Sequence, residues 1–258
     1  MKRVSIFLYG VVCYAVFFAT FLYAIGFVGN IWVPVAMDSV PVAPVGQALL
    51  INLCLLAIFA VQHSVMARPA FKRWWTNYVP RAAERSTYVL FSSLALILLF
   101  VLWEPMGAVV WQVNNHAWRI ALYAAFGFGW LLVLVSTFLI NHFDLFGLRQ
   151  VWLELRGRPY TPLKFGTPGP YRLVRHPLYL GWLFAFWATP TMTAAHLVFA
   201  IATTAYIFVA IVMEERDLLR AHPEYRHYRE RVPMIIPSLT RRWRSQDERN
   251  VATAEASV

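Results

Sequence analysis

The sequence predicts an all-α, polytopic integral membrane protein with about six transmembrane helices and both termini cytoplasmic. Three observations lead there. Of the 258 residues, 59% are hydrophobic and 16% aromatic, too apolar a mixture for a water-soluble domain of this length. Apolar windows of span length, roughly 20 residues, recur along the chain. The basic residues are sorted onto alternate loops.

The first window, about 4–28, follows Met1-Lys2-Arg3 and shows no small-residue cleavage pattern before Asn30, so it reads as a retained span and not a signal peptide. The next three lie at about 46–66, 87–103 and 118–140, and a fifth and sixth fall between 177 and 213. From Pro177 to Pro190 is 14 residues. At 1.5 Å per residue this is about 21 Å, short of a hydrocarbon core of roughly 30 Å. A short or tilted fifth helix is expected, with a recess beside it.

All but one of the 23 Lys and Arg residues lie in residues 1–3, 67–86, 141–176 and the stretch after Glu215; the exception is Arg119, just inside the fourth span. The positive-inside rule makes those loops cytoplasmic. The net charge of +10 therefore marks sidedness and contact with membrane lipids; it is not gathered into a face for nucleic acid. Cys13 and Cys54 fall inside spans with no metal or disulfide spacing and read as buried small hydrophobes. No Gly-rich phosphate loop and no internal repeat occur.

Three regions follow. Residues 1–140 read as a four-helix scaffold and acceptor side, 141–237 as a cofactor-binding half, and 238–258, without hydrophobic periodicity, as a disordered tail. The outer loops read as featureless, with the polar residues gathered at one membrane face.

The stretch "PGPYRLVRHPLYLGW", 168–182, is the densest polar signal. Gly169-Pro170-Tyr171 suits a turn, and Pro177 expels His176 from the helical region and opens the fifth span. The first turn of that span has free backbone N–H groups beside Arg175 and His176, a place for a carboxylate. Tyr179 continues the wall, and Gly181 leaves room for a flat ring. Arg172, Arg175 and His176 also fit simple anchors at a helix end. Glu214 and Glu215 end the sixth span against its dipole and need a cation, supplied either by nearby arginines or by a ligand ammonium. An anion site and a cation site brought together suit an amino-acid zwitterion.

The ordered set Gly169-Pro170-Tyr171, Arg175-His176-Pro177-Leu178-Tyr179-Leu180-Gly181, Glu214-Glu215, Tyr225-x-x-Tyr228 and Val232-Pro233 through Pro237 resembles the C-terminal half of the isoprenylcysteine carboxyl methyltransferase superfamily. The resemblance implies S-adenosyl-L-methionine as cofactor, held by Pro170, Tyr171, Arg175, His176, Pro177, Tyr179, Gly181, Glu214 and Glu215. His222-Pro223 and Met234 depart from that superfamily's usual residues and speak against a prenyl-peptide acceptor. "NHFDLFGLRQVW", "VQHSVMARPAFKRWW" and "ERSTYVLFSS" are similar to its bacterial NnrU-like branch. That likeness implies a small thiol substrate, methanethiol converted to dimethyl sulfide, by an enzyme of the bacterial inner membrane whose site faces the cytoplasm.

A thiol needs help to lose its proton at neutral pH. The catalytic candidates are His63, Tyr88, His142 and Asp144, with Gln62, Glu84 and Arg85 beside them and His142 and Asp144 as a relay. A metal site is not expected, since no close-spaced ligand pair appears. Other methyl acceptors, a membrane reductase and a non-enzymatic membrane factor stand as rival readings.

Overall fold

A computed structural model describes residues 1–237; the tail expected over 238–258 lies outside the described residues. Helices dominate: α1 (Lys2–Gly29), α2 (Val45–Ala67), α3 (Pro69–Trp75), α4 (Glu84–Leu102), α5 (His116–Ile140), α6 (His142–Leu145), α7 (Leu148–Leu155), α8 (Pro177–Trp187), α9 (Ala194–Ala221) and α10 (Tyr225–Arg231). Two short strands, β1 (Val109–Gln112) and β2 (Thr191–Thr193), pair antiparallel. Helices α1, α2, α5 and α9, together with Arg81–Leu102, are long and apolar enough to cross a membrane. Leu8, Val12, Phe18, Val101, Leu131 and Phe208 point outward from them, as a lipid solvent allows. The protein is a multi-pass membrane protein.

Helix ends follow local chemistry. Asn30 closes α1 in the left-handed conformation, its N–H bonded to Gly26. The Asn115 side chain caps α5 by accepting from Trp118 N, and the Thr193 hydroxyl caps α9 by accepting from His196 N.

Helix α8 has 11 residues, shorter than the Pro177–Pro190 spacing suggested. It packs along α5, where Gly129 and Gly181 face each other. A Cβ at Gly181 would stand 2.7 Å from Gly129 O and 2.9 Å from Val133 N, and a Cβ at Gly129 would stand 2.6 Å from Ala185 N. Small residues let two backbones meet where lipid gives no hydrophobic push.

Two expectations are corrected. Cys13 is buried but Cys54 is exposed on the outer face of α2, so only the first packs as a small hydrophobe. The end of the bundle away from the basic loops is not featureless: Asp38, on the α1–α2 loop, accepts from the Asn30 amide and the Thr193 hydroxyl and pairs with buried His196. These contacts fasten that loop to the start of α9.

Candidate active site

The polar groups of interest lie where α2 and α9 end and α4 and α8 begin. A 3-10 turn, Gly169–Arg172, opens with Gly169 at φ +53° and Pro170 in its first turn. The chain then extends, and Arg175 N and His176 N donate to Pro233 O at 2.8 Å and Met234 O at 3.1 Å. This pairing lays the segment after α10 along the approach to α8 and turns two side chains inward. Pro177, buried, starts the helix.

Arg175 and His176 both meet Glu215. Arg175 Nε donates to Glu215 Oε1 at 2.8 Å, and His176 Nε2 lies 3.0 Å from the same oxygen. Tyr225 Oη donates to it at 3.2 Å, and Arg229 Nε approaches Oε2 at 3.4 Å. The guanidinium of Arg175 also donates to the carbonyls of Arg229 and Val232. Glu215 is 7% exposed and His176 4%. Burial and then the Glu215 charge push the Tyr225 phenol above its usual range. Of the two origins weighed for the partner of Glu215, the structure supplies nearby cations.

Glu214 differs. It is exposed, and Tyr179 Oη donates to its Oε2 at 2.9 Å. Tyr228 Oη donates to Tyr171 O at 2.6 Å, setting a second aromatic wall. Burial, reinforced by the charge of Glu214, holds the Tyr171 phenol protonated. Gly181, expected to leave room for a ring, has its open side filled by α5.

His63 and Tyr88 do come together, with Ser92, which the sequence reading missed. The Ser92 hydroxyl donates to Tyr88 O at 3.0 Å, so toward the ring its oxygen accepts, from His63 Nδ1 at 3.1 Å. With Nδ1 as the donor, His63 Nε2 is the acceptor, 2.9 Å from Tyr88 Oη, which also lies 3.1 Å from Nδ1. The Arg85 guanidinium lies 5.2 Å over the Tyr88 ring and donates to Leu145 O. Tyr206, also missed, joins Ser64 Oγ at 3.0 Å and lies edge-on to Phe59, which stacks on His63. The helix that carries His63 is tied to the helix that carries Glu214 by Ser64 with Tyr206 and by Arg68 Nη1 on Asp217 Oδ2 at 3.1 Å.

His142 and Asp144 make no relay. Thr137 Oγ1 donates to Leu134 O and therefore accepts from His142 Nδ1 at 2.8 Å, while Tyr14 Oη meets Nε2 at 2.8 Å. Phe138 stacks on the imidazole at 4.2 Å between centroids, and Phe146 closes on it. Burial holds His142 below the usual histidine pKa. Asp144 instead binds Arg149 at 2.7 Å and Tyr160 at 3.3 Å, tying the loop after α7 to α6.

Ser92 stands four residues after Tyr88 on one helix face, a signal present in "ERSTYVLFSS". Tyr206 stands eight before Glu214, about 12 Å along α9. Exposed Glu214 suits an ammonium or a ribose diol, and the first-turn N–H groups of α8 suit a carboxylate.

Comparison with known proteins places the chain among named relatives. It is 57% identical over 238 residues to methanethiol S-methyltransferase of Crocosphaera subtropica, covering 92% of this chain and 93% of that protein. It is also 57% identical over 238 residues to methanethiol S-methyltransferase of Mycobacterium tuberculosis, covering 92% and 98%. More distantly, it is 33% identical over 176 residues to Nurim of Rattus norvegicus, covering 65% and 66%. No family model and no solved structure matches the chain.

Proposed function

The chain belongs to the methanethiol S-methyltransferase family, and from that membership we propose that it transfers a methyl group from S-adenosylmethionine to methanethiol, giving dimethyl sulfide. It is a membrane methyltransferase. The observation that supports the reading at the level of chemistry is that two polar clusters, Tyr179 with Glu214 and His63 with Tyr88, stand on helices tied together by Ser64 with Tyr206 and Arg68 with Asp217.

S-adenosylmethionine supplies an electrophilic methyl group on a sulfonium. We assign its hold to Glu214, Tyr179, Tyr171 and the first turn of α8, with Pro170 and Pro177 shaping the approach. The pair Arg175 and His176 braces Glu215, keeping α8, α9 and α10 in register around the open carboxylate. Gly181 sets how closely α8 approaches α5.

On the acceptor side, the thiol proton passes to Tyr88 Oη as the proton of Tyr88 passes to His63 Nε2. His63 Nδ1 remains bonded to Ser92, which holds the imidazole in the orientation that leaves Nε2 free to accept. With S-adenosylmethionine bound, the thiolate would take its methyl group as the bond from that methyl to the sulfonium sulfur breaks, S-adenosylhomocysteine would leave, and one proton would rest on His63. Alignment and exclusion of water do most of the work. His142 is enclosed by aromatic rings and Asp144 by Arg149, so both serve as supports for this wall.

The division into an acceptor side over 1–140 and a donor half over 141–237 follows from these assignments. We assign the site to the cytoplasmic face of a bacterial inner membrane, a reading that the basic loops and the positive-inside rule support. Among the earlier alternatives, the names of the relatives favour neither a reductase nor a non-enzymatic factor. Purified protein supplied with S-adenosylmethionine and methanethiol should release dimethyl sulfide into the headspace above a no-enzyme control. Methylation of a prenylcysteine or a lipid amine in its place would overturn the acceptor assignment.

A further inference from the structure

We propose that Tyr206 determines how large a thiol the enzyme accepts, its ring forming the wall between the acceptor cluster and the donor cluster. This rests on the thiol methyltransferase reading and deepens it. Tyr206 is half-buried on α9, and its phenol turns toward α2 to meet Ser64 Oγ at 3.0 Å. Ser64 is the residue after His63. The ring lies edge-on to Phe59 at 6.3 Å between centroids, and Phe59 stacks on His63 at 5.2 Å. Along α9 Tyr206 stands eight residues, about 12 Å, before Glu214, the carboxylate that Tyr179 holds. Tyr206 therefore touches the residues that flank His63 and shares a helix with Glu214.

Of its neighbours one helical turn away, Val209 is exposed and the others are small. Ala202 and Thr203 precede it, Ala210 follows, and the Thr203 hydroxyl is turned back onto Phe199 O. At this level of α9 the tyrosine ring is the large side chain that meets α2, at Ser64 and Phe59. The two helices are tied there by Ser64 and Tyr206 and, nearer their ends, by Arg68 Nη1 on Asp217 Oδ2 at 3.1 Å. A ring packed against Phe59 yields little to an added methylene, and a tight apolar site discriminates by about tenfold or more per methylene.

The test compares kcat/KM for methanethiol, ethanethiol and 1-propanethiol in the purified full chain and in Tyr206→Ala, Tyr206→Leu and Tyr206→Phe. S-adenosylhomocysteine binding checks that each variant is folded. The ratio of 1-propanethiol to methanethiol should rise about a hundredfold in the Ala variant, about tenfold for each of the two added methylenes, rise in the Leu variant, and stay at the wild-type value in the Phe variant, which keeps the ring. If the shortened variants lose rate equally with every thiol, Tyr206 is a structural residue and the proposal fails while the function stands. If the wild-type protein methylates no thiol, both fall. Should the Ala variant not fold, the Leu variant decides, since leucine is at home in a membrane helix.

Discussion

Arg175 Nε donates to Glu215 Oε1 at 2.8 Å between side chains that are 11% and 9% exposed. His176 and Arg229 bring further donors to the same carboxylate. Removing its charge leaves cations and a tyrosine hydroxyl partly stranded in a buried place. Breaking such a pair costs about 3–5 kcal/mol. Glu215→Gln should therefore lower the melting temperature in detergent, with loss of ligand binding following from loss of structure.

Glu214→Gln should behave in the opposite way. Glu214 is exposed and Tyr179 is the hydrogen-bond donor it meets, so the fold should keep its melting temperature. If its charge holds the donor's ammonium or ribose, S-adenosylhomocysteine affinity should fall by about ten- to a hundredfold, the worth of a charge-assisted bond of 1.5–3 kcal/mol. Calorimetry on the two variants side by side separates brace from ligand. Equal affinity in Glu214→Gln and wild type would remove Glu214 from the donor site.

The sequence exposed the bundle because each span announces itself through some twenty apolar residues, and the shortness of α8 was legible from two prolines. It also identified the class of enzyme through ordered polar motifs. Pairings across the chain were less visible. Glu215 could be placed beside Arg175 and His176 but not assigned to them, since that depends on how α10 and the segment after it fold back to bring Arg229 and Met234 into contact. Ser92 shares a helix face with Tyr88 but is one of several hydroxyls on α4, and Tyr206 follows two threonines on α9, so neither stands out from its neighbours. Asp38 and His196, 158 positions apart, meet only because α1, α2 and α9 share one end. Gly181 was misread for a related reason: its partner is Gly129 on another helix.

Gly181→Ala tests that correction. Alanine favours a helix over glycine by about 1 kcal/mol, so in open space the substitution would stabilise. Here the new methyl group meets backbone atoms at 2.7 and 2.9 Å that cannot rotate away. Overpacking of about 1–3 kcal/mol should win, and the melting temperature should drop. A rise would show that the α5–α8 contact is loose.

His142 gives a pH dependence with a defined sign. Burial holds its folded pKa below the usual 6.5, so the unfolded chain binds the proton more readily. The stability this histidine contributes is fully present above pH 6.5 and is lost as pH falls toward the depressed value. Melting temperature should decline on acidification through that range, and His142→Gln should flatten the decline. An equal decline in the variant would assign the acid sensitivity to other groups.

The proton route through Tyr88 and His63 makes the sharpest kinetic prediction. Tyr88→Phe keeps the ring under Arg85 but severs the link at 2.9 Å to His63 Nε2. His63→Gln removes the final acceptor and leaves the Ser92 contact replaceable by an amide. Each should lower kcat/KM for methanethiol by about 10²–10⁴, the usual worth of positioned acid-base catalysis, while S-adenosylhomocysteine affinity stays near wild type. The loss must also shrink as pH rises, because solvent then supplies thiolate directly and the missing base matters less. His142→Gln, outside the route, should show no such convergence at high pH. A deficit in Tyr88→Phe that is constant across pH would mean the hydroxyl only shapes the chamber, and the base would have to be sought elsewhere along its wall.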